Sequence, residues 1–413
     1  MAATPNNAAP GAKNAPVSKR SFLVGTQSVI EGGDYDQTVS TAGASFPPWA
    51  LTATGFLREL VLDFLYTVSG NAVATVAVAE NYPWNILGNI QLNDINNEAI
   101  FGPFDTYTAF LVNKYGGYGN YTDPATDPTT YMVALTSTNA AASSFHMVLR
   151  IPLEIVARDP IGPLASVNNT AALTLQMTVN NSANLYTTAP TTFGSLRVRG
   201  TQVFYWEPKA TDKQGRPISD QPPASGTTQY WTQGSLPLSG GTNNTQINTA
   251  LGYPWRSYLF MLVRSSGTRA NGAQDWPDPL IGLKFEANML VSNYQKALWL
   301  HQMARDYGYP NPNAFGTSAA DTRLAAVAAA PGTPATAVIP GLENGVFALN
   351  FNKDFAFGKP GSETRRTYLQ TSVGSNWIFN GSLANAGTLY SIVNYVAPPG
   401  GAKGDPAALT GGR

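Results

Sequence analysis

Side chains able to do acid–base or metal chemistry are few and scattered in this sequence. The 413 residues include two histidines, His146 and His301, and no cysteine. A catalytic or metal-binding histidine needs partner groups, and neither histidine lies in a recognisable motif. The G-x-S-x-G, G-x-G-x-x-G and Walker A patterns are also absent. The sequence therefore predicts no enzymatic activity, no metal site and no cofactor, and it favours packing roles for both histidines.

Two acidic clusters are the remaining candidates for a site. Glu31, Asp34 and Asp36 in EGGDYD offer oxygen ligands of the kind that calcium prefers. They lack the ordered alternation of an EF-hand loop, so we interpret the cluster as a solvated turn, with ion binding left open. Asp123 and Asp127 in TDPATDP are typical of turns in which an aspartate precedes proline.

The charge content is low and balanced. Asp, Glu, Lys and Arg make up 12% of the chain, with 25 basic and 25 acidic residues, whereas a typical soluble domain has about 25% charged residues. A sparsely charged surface suits a protein that is covered by copies of itself. Zero net charge argues against direct nucleic-acid binding, which needs an excess of Lys and Arg. Only the N-terminal arm is locally basic, through Lys13, Lys19 and Arg20.

Composition also divides the chain. Residues 1–20 and 398–413 are rich in Ala, Pro, Asn and Gly, and we expect a flexible arm and a flexible tail. A polar, Pro/Gly-rich stretch at 207–228 predicts a linker between two halves, 21–206 and 229–397. The N-terminus has no apolar signal segment and no stretch is long enough to span a membrane, so we expect a soluble chain made in the cytoplasm.

A repeated motif relates the two halves. Tyr115-Gly116 and Tyr307-Gly308 each end a helix-like run, 192 residues apart (307 − 115). Three further pairs of segments match between the halves in the same order and at similar offsets. They are 58–70 with 256–268, 82–88 with 276–282, and 154–162 with 354–362. Four ordered matches indicate a duplication.

Each half reads as a strand-rich sandwich interrupted by one helix. Short apolar runs with no strict alternation predict strands of a two-sheet sandwich whose outer face is partly covered. The first helix is predicted to start at Pro103 and to stop at a left-handed Gly116. The second is predicted to have Ser292 as its N-cap and to stop at Gly308. The fold class is thus all-β with two sandwiches.

The segment YPWNILGNIQLNDINNEAIFGPFDTYTAFLVNKYGGYG (82–119) resembles the first-domain signature of double jelly-roll major capsid proteins from tectivirus-like, membrane-containing icosahedral bacteriophages. RIPLEIVARDPIGPL (150–164) is similar to the segment that follows it there. The resemblance implies two tandem eight-stranded jelly rolls, each with one short inserted α-helix. It further implies a pseudo-hexagonal homotrimer, an icosahedral shell over an internal membrane, and a tower formed by the loops 119–130 and 310–345.

The same resemblance places the protein in the virion, with itself, minor capsid, penton and membrane proteins, and the internal membrane surface as partners. Under it, Lys13, Lys19 and Arg20 are expected to face anionic lipid headgroups, although a disordered arm with incidental charges explains them equally well. The alternative function is a tandem β-sandwich carbohydrate-binding protein, such as a lectin, an adhesin or a receptor-binding protein, because aromatic residues make up 11% of the chain. A β-sandwich hydrolase lacks an identifiable carboxylate pair.

Overall fold

The computed structural model describes most of the chain between Arg20 and Ala397. The described residues are 20–67, 77–119, 123–127, 129–135, 143–155, 161–166, 172–190, 192–213, 215–218, 228–265, 267, 282–286, 288–291, 296–310, 324–326, 336–338, 341–343, 345–352 and 368–397.

The described part of the first half contains twelve strands and three helices. Its elements are α1 (Phe22–Gly25), β1 (Ser28–Val39), β2 (Trp49–Ala50), β3 (Phe56–Thr67), β4 (Ala77–Val78), β5 (Leu87–Asn93), β6 (Ala99–Phe104), α2 (Thr106–Tyr115), β7 (Tyr131–Leu135), β8 (Ser143–Pro152), β9 (Leu164–Ala165), β10 (Thr174–Val179), α3 (Ser182–Leu185), β11 (Tyr186–Thr188) and β12 (Ser195–Tyr205).

The described part of the second half contains one helix. Its elements are β13 (Thr228–Leu238), β14 (Gly241–Gln246), β15 (Pro254–Arg264), β16 (Gly282–Phe285), β17 (Asn288–Val291), α4 (Lys296–Tyr307), β18 (Leu324–Ala326), β19 (Thr336–Val338), β20 (Val346–Asn350), β21 (Leu369–Gln370), β22 (Trp377–Leu383) and β23 (Gly387–Ala397).

Each half is a complete jelly roll of eight principal strands in two sheets. In the first roll one sheet has the order β1-β12-β3-β8, with β7 beyond β8, and the other has the order β2-β10-β5-β6. In the second roll the corresponding orders are β13-β23-β15-β20 and β14-β22-β16-β17. The strands correspond one to one along the chain, and α2 and α4 occupy the same place between the fifth and sixth principal strands. The prediction of an all-β fold with a duplicated sandwich is confirmed.

The two rolls share one sheet. The first roll's β6 lies parallel to the second roll's β13, with Phe101 opposite Trp231, so that four strands from each roll lie in one continuous sheet. Parallel pairing gives the two rolls the same orientation. A single hydrophobic cluster includes buried residues of both rolls, among them Trp84 of the first roll and Trp231 and Trp255 of the second.

The chain ends of each roll lie side by side. β1 and β12 are antiparallel neighbours with Ser28 opposite Tyr205, and β13 and β23 are antiparallel neighbours with Thr228 opposite Ala397. The last strand of the first roll therefore ends beside its first strand, and the next roll begins at residue 228. The extent of the linker, predicted as 207–228, stays a prediction.

Candidate functional site at the junction of the two rolls

The helix α2 is the element that brings the first roll against the second. Its N-cap is Asp105, whose side chain accepts a hydrogen bond from the Thr108 backbone N–H at 2.9 Å. All ten of its residues are buried, which is typical of a helix enclosed on every side rather than one at a surface. The helix therefore carries Lys114, which is wholly buried, into the interior.

Lys114 is the centre of a buried ion cluster. Its Nζ lies 3.0 Å from the carboxylate of Asp123 and 3.0 Å from that of Glu343, and it also donates to the carbonyl of Gly341. The backbone N–H of Gly341 donates to the same Asp123 carboxylate at 2.8 Å. Asp123 belongs to the first roll and Glu343 to the second, so that one ammonium group binds the two rolls together.

Additional donors satisfy the two carboxylates. Tyr107 donates its hydroxyl to Glu343 at 3.4 Å, and the backbone N–H of Ala125 donates to Asp123 at 3.0 Å. A buried charge is tolerated only when it is paired and hydrogen-bonded. Each charged group of this cluster has at least two polar contacts, so the cluster meets that condition and defines one relative position of the rolls.

The two copies of the Tyr-Gly motif meet beside this cluster. The rings of Tyr115 and Tyr307 lie edge to face, with their centroids 5.0 Å apart and their planes at 83°. The Tyr115 hydroxyl accepts a hydrogen bond from the Glu343 backbone N–H at 2.9 Å, and Tyr309 donates to the Lys114 carbonyl at 3.3 Å. Burial raises the pKa of Tyr307 above its ordinary value. The duplicated helix ends are thus packed against each other.

A second polar network lies at the same junction. The side chain of Arg256 is buried and donates to Asn394 at 3.2 Å, and Asn394 donates in turn to Gln229 at 3.1 Å. Tyr118 of the first roll donates its hydroxyl to the same Gln229 oxygen at 2.9 Å, and Trp231 donates its indole N–H to it at 3.1 Å. The side-chain oxygen of Gln229 therefore accepts hydrogen bonds from residues of both rolls.

This geometry sets how the two rolls lie against each other. Within the described ranges, no three His, Asp or Glu side chains gather in a way that would hold a metal ion. No helix of the described residues is long and apolar enough to cross a membrane. The contacts of the junction join the two equivalent rolls.

Comparisons with solved structures agree with this architecture. The structure of Sulfolobus turreted icosahedral virus contains a chain with a TM-score of 0.55 at 13% identity, over 90% of this chain and 91% of that one. The major capsid protein P2 of bacteriophage PM2 gives a TM-score of 0.50 at 8% identity, over 90% and 98%. The Faustovirus major capsid protein gives 0.51 at 9% identity, over 90% and 90%. No protein-family model and no curated protein sequence matches the chain.

The chain has the double jelly-roll fold. The resemblance inferred from residues 82–119 and 150–164 is therefore confirmed at the level of fold. At these identities the likeness concerns architecture, because about one residue in ten is shared. The likeness does not extend to the junction contacts described above, which are made by this chain's own side chains.

Two details of the first helix differ from the prediction, namely its first residue and its left-handed glycine. Pro103 lies in β6, and the first helix begins at Thr106 because Asp105 provides the cap. Gly116 has a right-handed φ of −78°, and Gly117, with φ of 86°, is the left-handed residue. Gly308, the predicted stop of the second helix, follows the last residue of α4 and has a left-handed φ of 73°. The predicted N-cap Ser292 lies outside the described residues.

The acidic cluster is part of a strand rather than a turn. Glu31, Asp34 and Asp36 belong to β1, which has a β-bulge between Gly32 and Tyr35. Asp36 forms an ion pair with Arg197, whose hydrogen bond lowers the pKa of the Asp36 carboxyl. The β-bulge explains the turn-like sequence, since it places two glycines within an otherwise paired strand.

The remaining predicted residues lie apart from the junction. The packing role predicted for both histidines is wrong, because His146 is half exposed on β8 and contacts Asp63, and His301 is exposed on α4. The backbone N–H of Arg20 donates to the carbonyl of Ile218 at 2.9 Å. Lys13 and Lys19 lie outside the described residues.

Sequence reasoning missed the charged centre of the junction. Asp123 does form the predicted turn, through its bond from Ala125, but it also pairs with Lys114. A signal was present, because Lys114 ends an apolar helical run, FLVNK, in which a lysine is expected only if it is paired. Glu343 and Arg256 are distant in sequence and gave no comparable signal.

Proposed function

We propose that this protein is a viral major capsid protein whose function is to self-assemble into the icosahedral shell of a virion. The observation that carries the proposal is the pair of complete, equally oriented jelly rolls held by a buried junction. Such a unit is rigid and offers large sheet surfaces for contacts with further copies. Its place is the virion, after synthesis in the host cytoplasm, and its work needs neither an enzymatic site nor direct nucleic-acid binding.

The assembly unit in this proposal is a pseudo-hexagonal homotrimer. Each chain supplies two rolls of the same topology, so that three chains supply six similar lobes. The two rolls are joined head to tail, since β6 of one meets β13 of the other, and head-to-tail contacts form closed rings when the rotation closes. A six-lobed ring fills a hexagonal position in a shell.

One end of the molecule is proposed to face an internal membrane. Glu154 links the end of β12 to the start of β13, because its carboxylate accepts from Tyr205 and its carbonyl from Gln229. Exposed apolar side chains collect at this end of the two rolls. They are Leu23 and Val24 on α1, Trp206 after β12, Ile95 in the β5–β6 turn and Val373 before β22.

The basic residues Lys13, Lys19 and Arg20 precede α1 in the sequence. In this proposal they supply cationic groups beside the exposed apolar ones. Apolar side chains with an aromatic ring beside basic residues are typical of surfaces that bind anionic lipid. Membrane proteins and minor capsid or penton proteins of the virion are the further partners in this proposal.

The solution mass of the purified chain tests the assembly unit. Light scattering after size exclusion is expected to give three times 43.9 kDa, unchanged on dilution. A monomer would contradict the trimer, and a monomer retarded on dextran or agarose would support the carbohydrate-binding alternative.

Flotation with vesicles tests the lipid-facing end. The full chain is expected to float with vesicles that contain anionic phospholipid and to stay behind with neutral ones. A variant lacking residues 2–20 and, separately, a Val24→Ser, Trp206→Ser variant are each expected to float less. Leu65→Ser, which changes an exposed apolar side chain elsewhere, is the matched control. Equal flotation of all four proteins would contradict the assignment of this end.

A further inference from the structure

The buried ion cluster at the junction contains the groups that form an amide bond. Lys114 supplies an amine, and Asp123 and Glu343 supply two carboxyl groups, each with an oxygen 3.0 Å from the Lys114 Nζ. The amine is therefore in direct contact with both carboxyl groups. Amide formation by this route needs one carboxyl group that accepts the amine and a second that carries protons between them.

The surroundings of this cluster exclude water. The side chain of Lys114 is wholly buried, and those of Asp123 and Glu343 are 2% and 5% exposed. Aromatic rings lie around the Lys114 nitrogen, with the ring centroid of Phe110 at 5.6 Å and that of Tyr309 at 4.9 Å. Such an enclosure disfavours charged forms, so it reduces the free-energy difference between an ion pair and the neutral amine and carboxylic acid. It also keeps out the water that hydrolyses an amide.

The carboxyl group of Asp123 is held in position to accept the amine. Its Oδ1 accepts a hydrogen bond from the backbone N–H of Ala125 at 3.0 Å, and its Oδ2 accepts one from the backbone N–H of Gly341 at 2.8 Å. Backbone donors directed at both oxygens fix the carboxyl carbon. They also stabilise the negative charge that develops on oxygen when a nitrogen adds to that carbon.

The carboxyl group of Glu343 is placed to carry protons. Its Oε1 accepts from the Lys114 Nζ at 3.0 Å, and the Tyr107 hydroxyl donates to its Oε2 at 3.4 Å. A carboxylate in contact with an ammonium group acts as a general base, and the acid that it becomes returns the proton to a departing oxygen. Glu343 belongs to the second roll, so the three groups come together only when both rolls are folded against each other.

We infer that Lys114 and Asp123 form an amide bond within the folded chain, with Glu343 as the proton carrier. The bond between the Lys114 Nζ and the Asp123 Cγ forms, and one bond between that Cγ and an oxygen breaks. Of the three ammonium protons, one stays on the amide nitrogen and two leave with the oxygen as water. Glu343 transfers these protons and ends as the carboxylate that it was at the start.

The reaction needs no co-reactant. The charges of Lys114 and Asp123 cancel in the neutral amide, and water is the only other product. The ion cluster described above is the unreacted form of the site. The bond replaces two buried charges by a neutral group and closes residues 114–123 into a covalent ring. It forms once in each chain and does not depend on the proposed assembly into a shell.

The intact mass of the denatured full-length chain tests the bond. Folded protein, stored until its mass no longer changes, is expected to be lighter than its sequence requires by one water molecule. A chain with the full mass of its sequence would overturn the inference, and this measurement needs no variant.

Two substitutions test the assigned roles. Glu343→Gln keeps the size of the side chain but removes the base, and Asp123→Ala removes the carboxyl group that accepts the amine. Each variant, folded as judged by circular dichroism, is expected to keep the full mass of its own sequence. Loss of water from Glu343→Gln would overturn the role of Glu343 as proton carrier, and loss of water from Asp123→Ala would overturn the assignment of Asp123.

Digestion with trypsin locates the bond, because trypsin cleaves after a free lysine and not after an acylated one. The unreacted chain gives the peptides 59–114 and 115–150. The reacted chain is expected to give a single peptide, 59–150, that is lighter by one water molecule. A crosslinked pair of peptides 59–150 and 324–353 would identify Glu343 as the bonded residue and would overturn the bond to Asp123.

Discussion

At the scale of single residues, Lys114 decides whether the junction is stable. Its ammonium group is enclosed, and its two carboxylate partners are 2% and 5% exposed. Removing the cation would leave Asp123 and Glu343 buried together without compensation. Breaking a buried ion pair in this way costs much more than the intact pair contributes, because the remaining charge is desolvated and alone.

We therefore expect Lys114→Met to lower the free energy of unfolding by about 3–5 kcal/mol. Chemical denaturation of the full chain measures the change. The control is Arg197→Met, which breaks the exposed pair with Asp36 and is expected to leave the transition midpoint unchanged. Equal effects of the two substitutions would contradict the importance of burial.

At the scale of helices, the two repeated glycines serve different purposes. Gly308 has a φ of 73°, which glycine and asparagine tolerate and other residues do not. Gly116 has ordinary helical φ, but a Cβ there would lie 2.4 Å from the Val112 carbonyl oxygen and 2.8 Å from the Tyr118 ring. One glycine is needed for backbone conformation and the other for close approach.

This difference predicts opposite responses to asparagine. Gly308→Asn is expected to be milder than Gly308→Ala, which costs about 1–2 kcal/mol through the left-handed backbone. Gly116→Asn is expected to be no milder than Gly116→Ala, because both add the same Cβ. Thermal unfolding of the four variants measures the effect. A benefit of asparagine at both positions would refute the distinction.

Also at the scale of elements, the sequence correctly predicted the features that depend on a local pattern of apolar residues. The apolar strands β3, β8, β15 and β23, the helix ends at Tyr115 and Tyr307, and the duplication are all visible in the residues themselves. The strands β1 and β14 were missed because their sequences, SVIEGGDYDQTV and GTNNTQ, are polar and rich in glycine. Such strands form because neighbouring strands provide the partners for their backbone hydrogen bonds. This cause is nonlocal, so the β-propensity of the residues does not predict it.

The junction was not predictable for the same reason. Lys114 and Glu343 are 229 positions apart along the chain, and their contact exists only because β6 lies beside β13. The repeat indicated two similar rolls but gave no information on which edges join. That choice depends on side chains such as Trp231 and Gln229, whose partners come from the other roll.

At the scale of the whole molecule, buried tyrosines predict loss of stability in alkali. Burial raises the pKa of Tyr258 and of Tyr35 to about 12, and it also raises the pKa of Tyr66, Tyr205 and Tyr395. An unfolded tyrosine titrates near about 10. The folded state therefore holds its protons longer, and the stability is complete below about pH 10 and declines as pH rises through the folded pKa.

An alkaline titration tests this expectation. Ultraviolet absorbance of tyrosinate, followed together with circular dichroism, should show that the buried tyrosines ionise only when the sheets unfold. Tyr258→Phe should make the decline of stability above about pH 10 less steep. Ionisation of all tyrosines near about pH 10 with the sheets intact would contradict the prediction.

The shared sheet predicts that the two rolls unfold together. A continuous sheet, one hydrophobic cluster and a buried ion cluster cross the junction, so that neither roll keeps its core without the other. Calorimetry is expected to give one transition with equal calorimetric and van't Hoff enthalpies. In Lys114→Met, one transition at a lower temperature is expected, because the shared sheet and the hydrophobic cluster remain. Two transitions in the unmodified chain would show that the rolls are independent.

The side-by-side ends of each roll have a consequence for connectivity. Because Ser28 lies opposite Tyr205 and Thr228 opposite Ala397, each roll is entered and left at neighbouring points of one edge. The order in which the rolls follow each other along the chain is then independent of how they pack. A circular permutant that opens the chain between residues 218 and 228 and joins residue 397 to residue 20 preserves every strand pairing described above, with the second roll translated first.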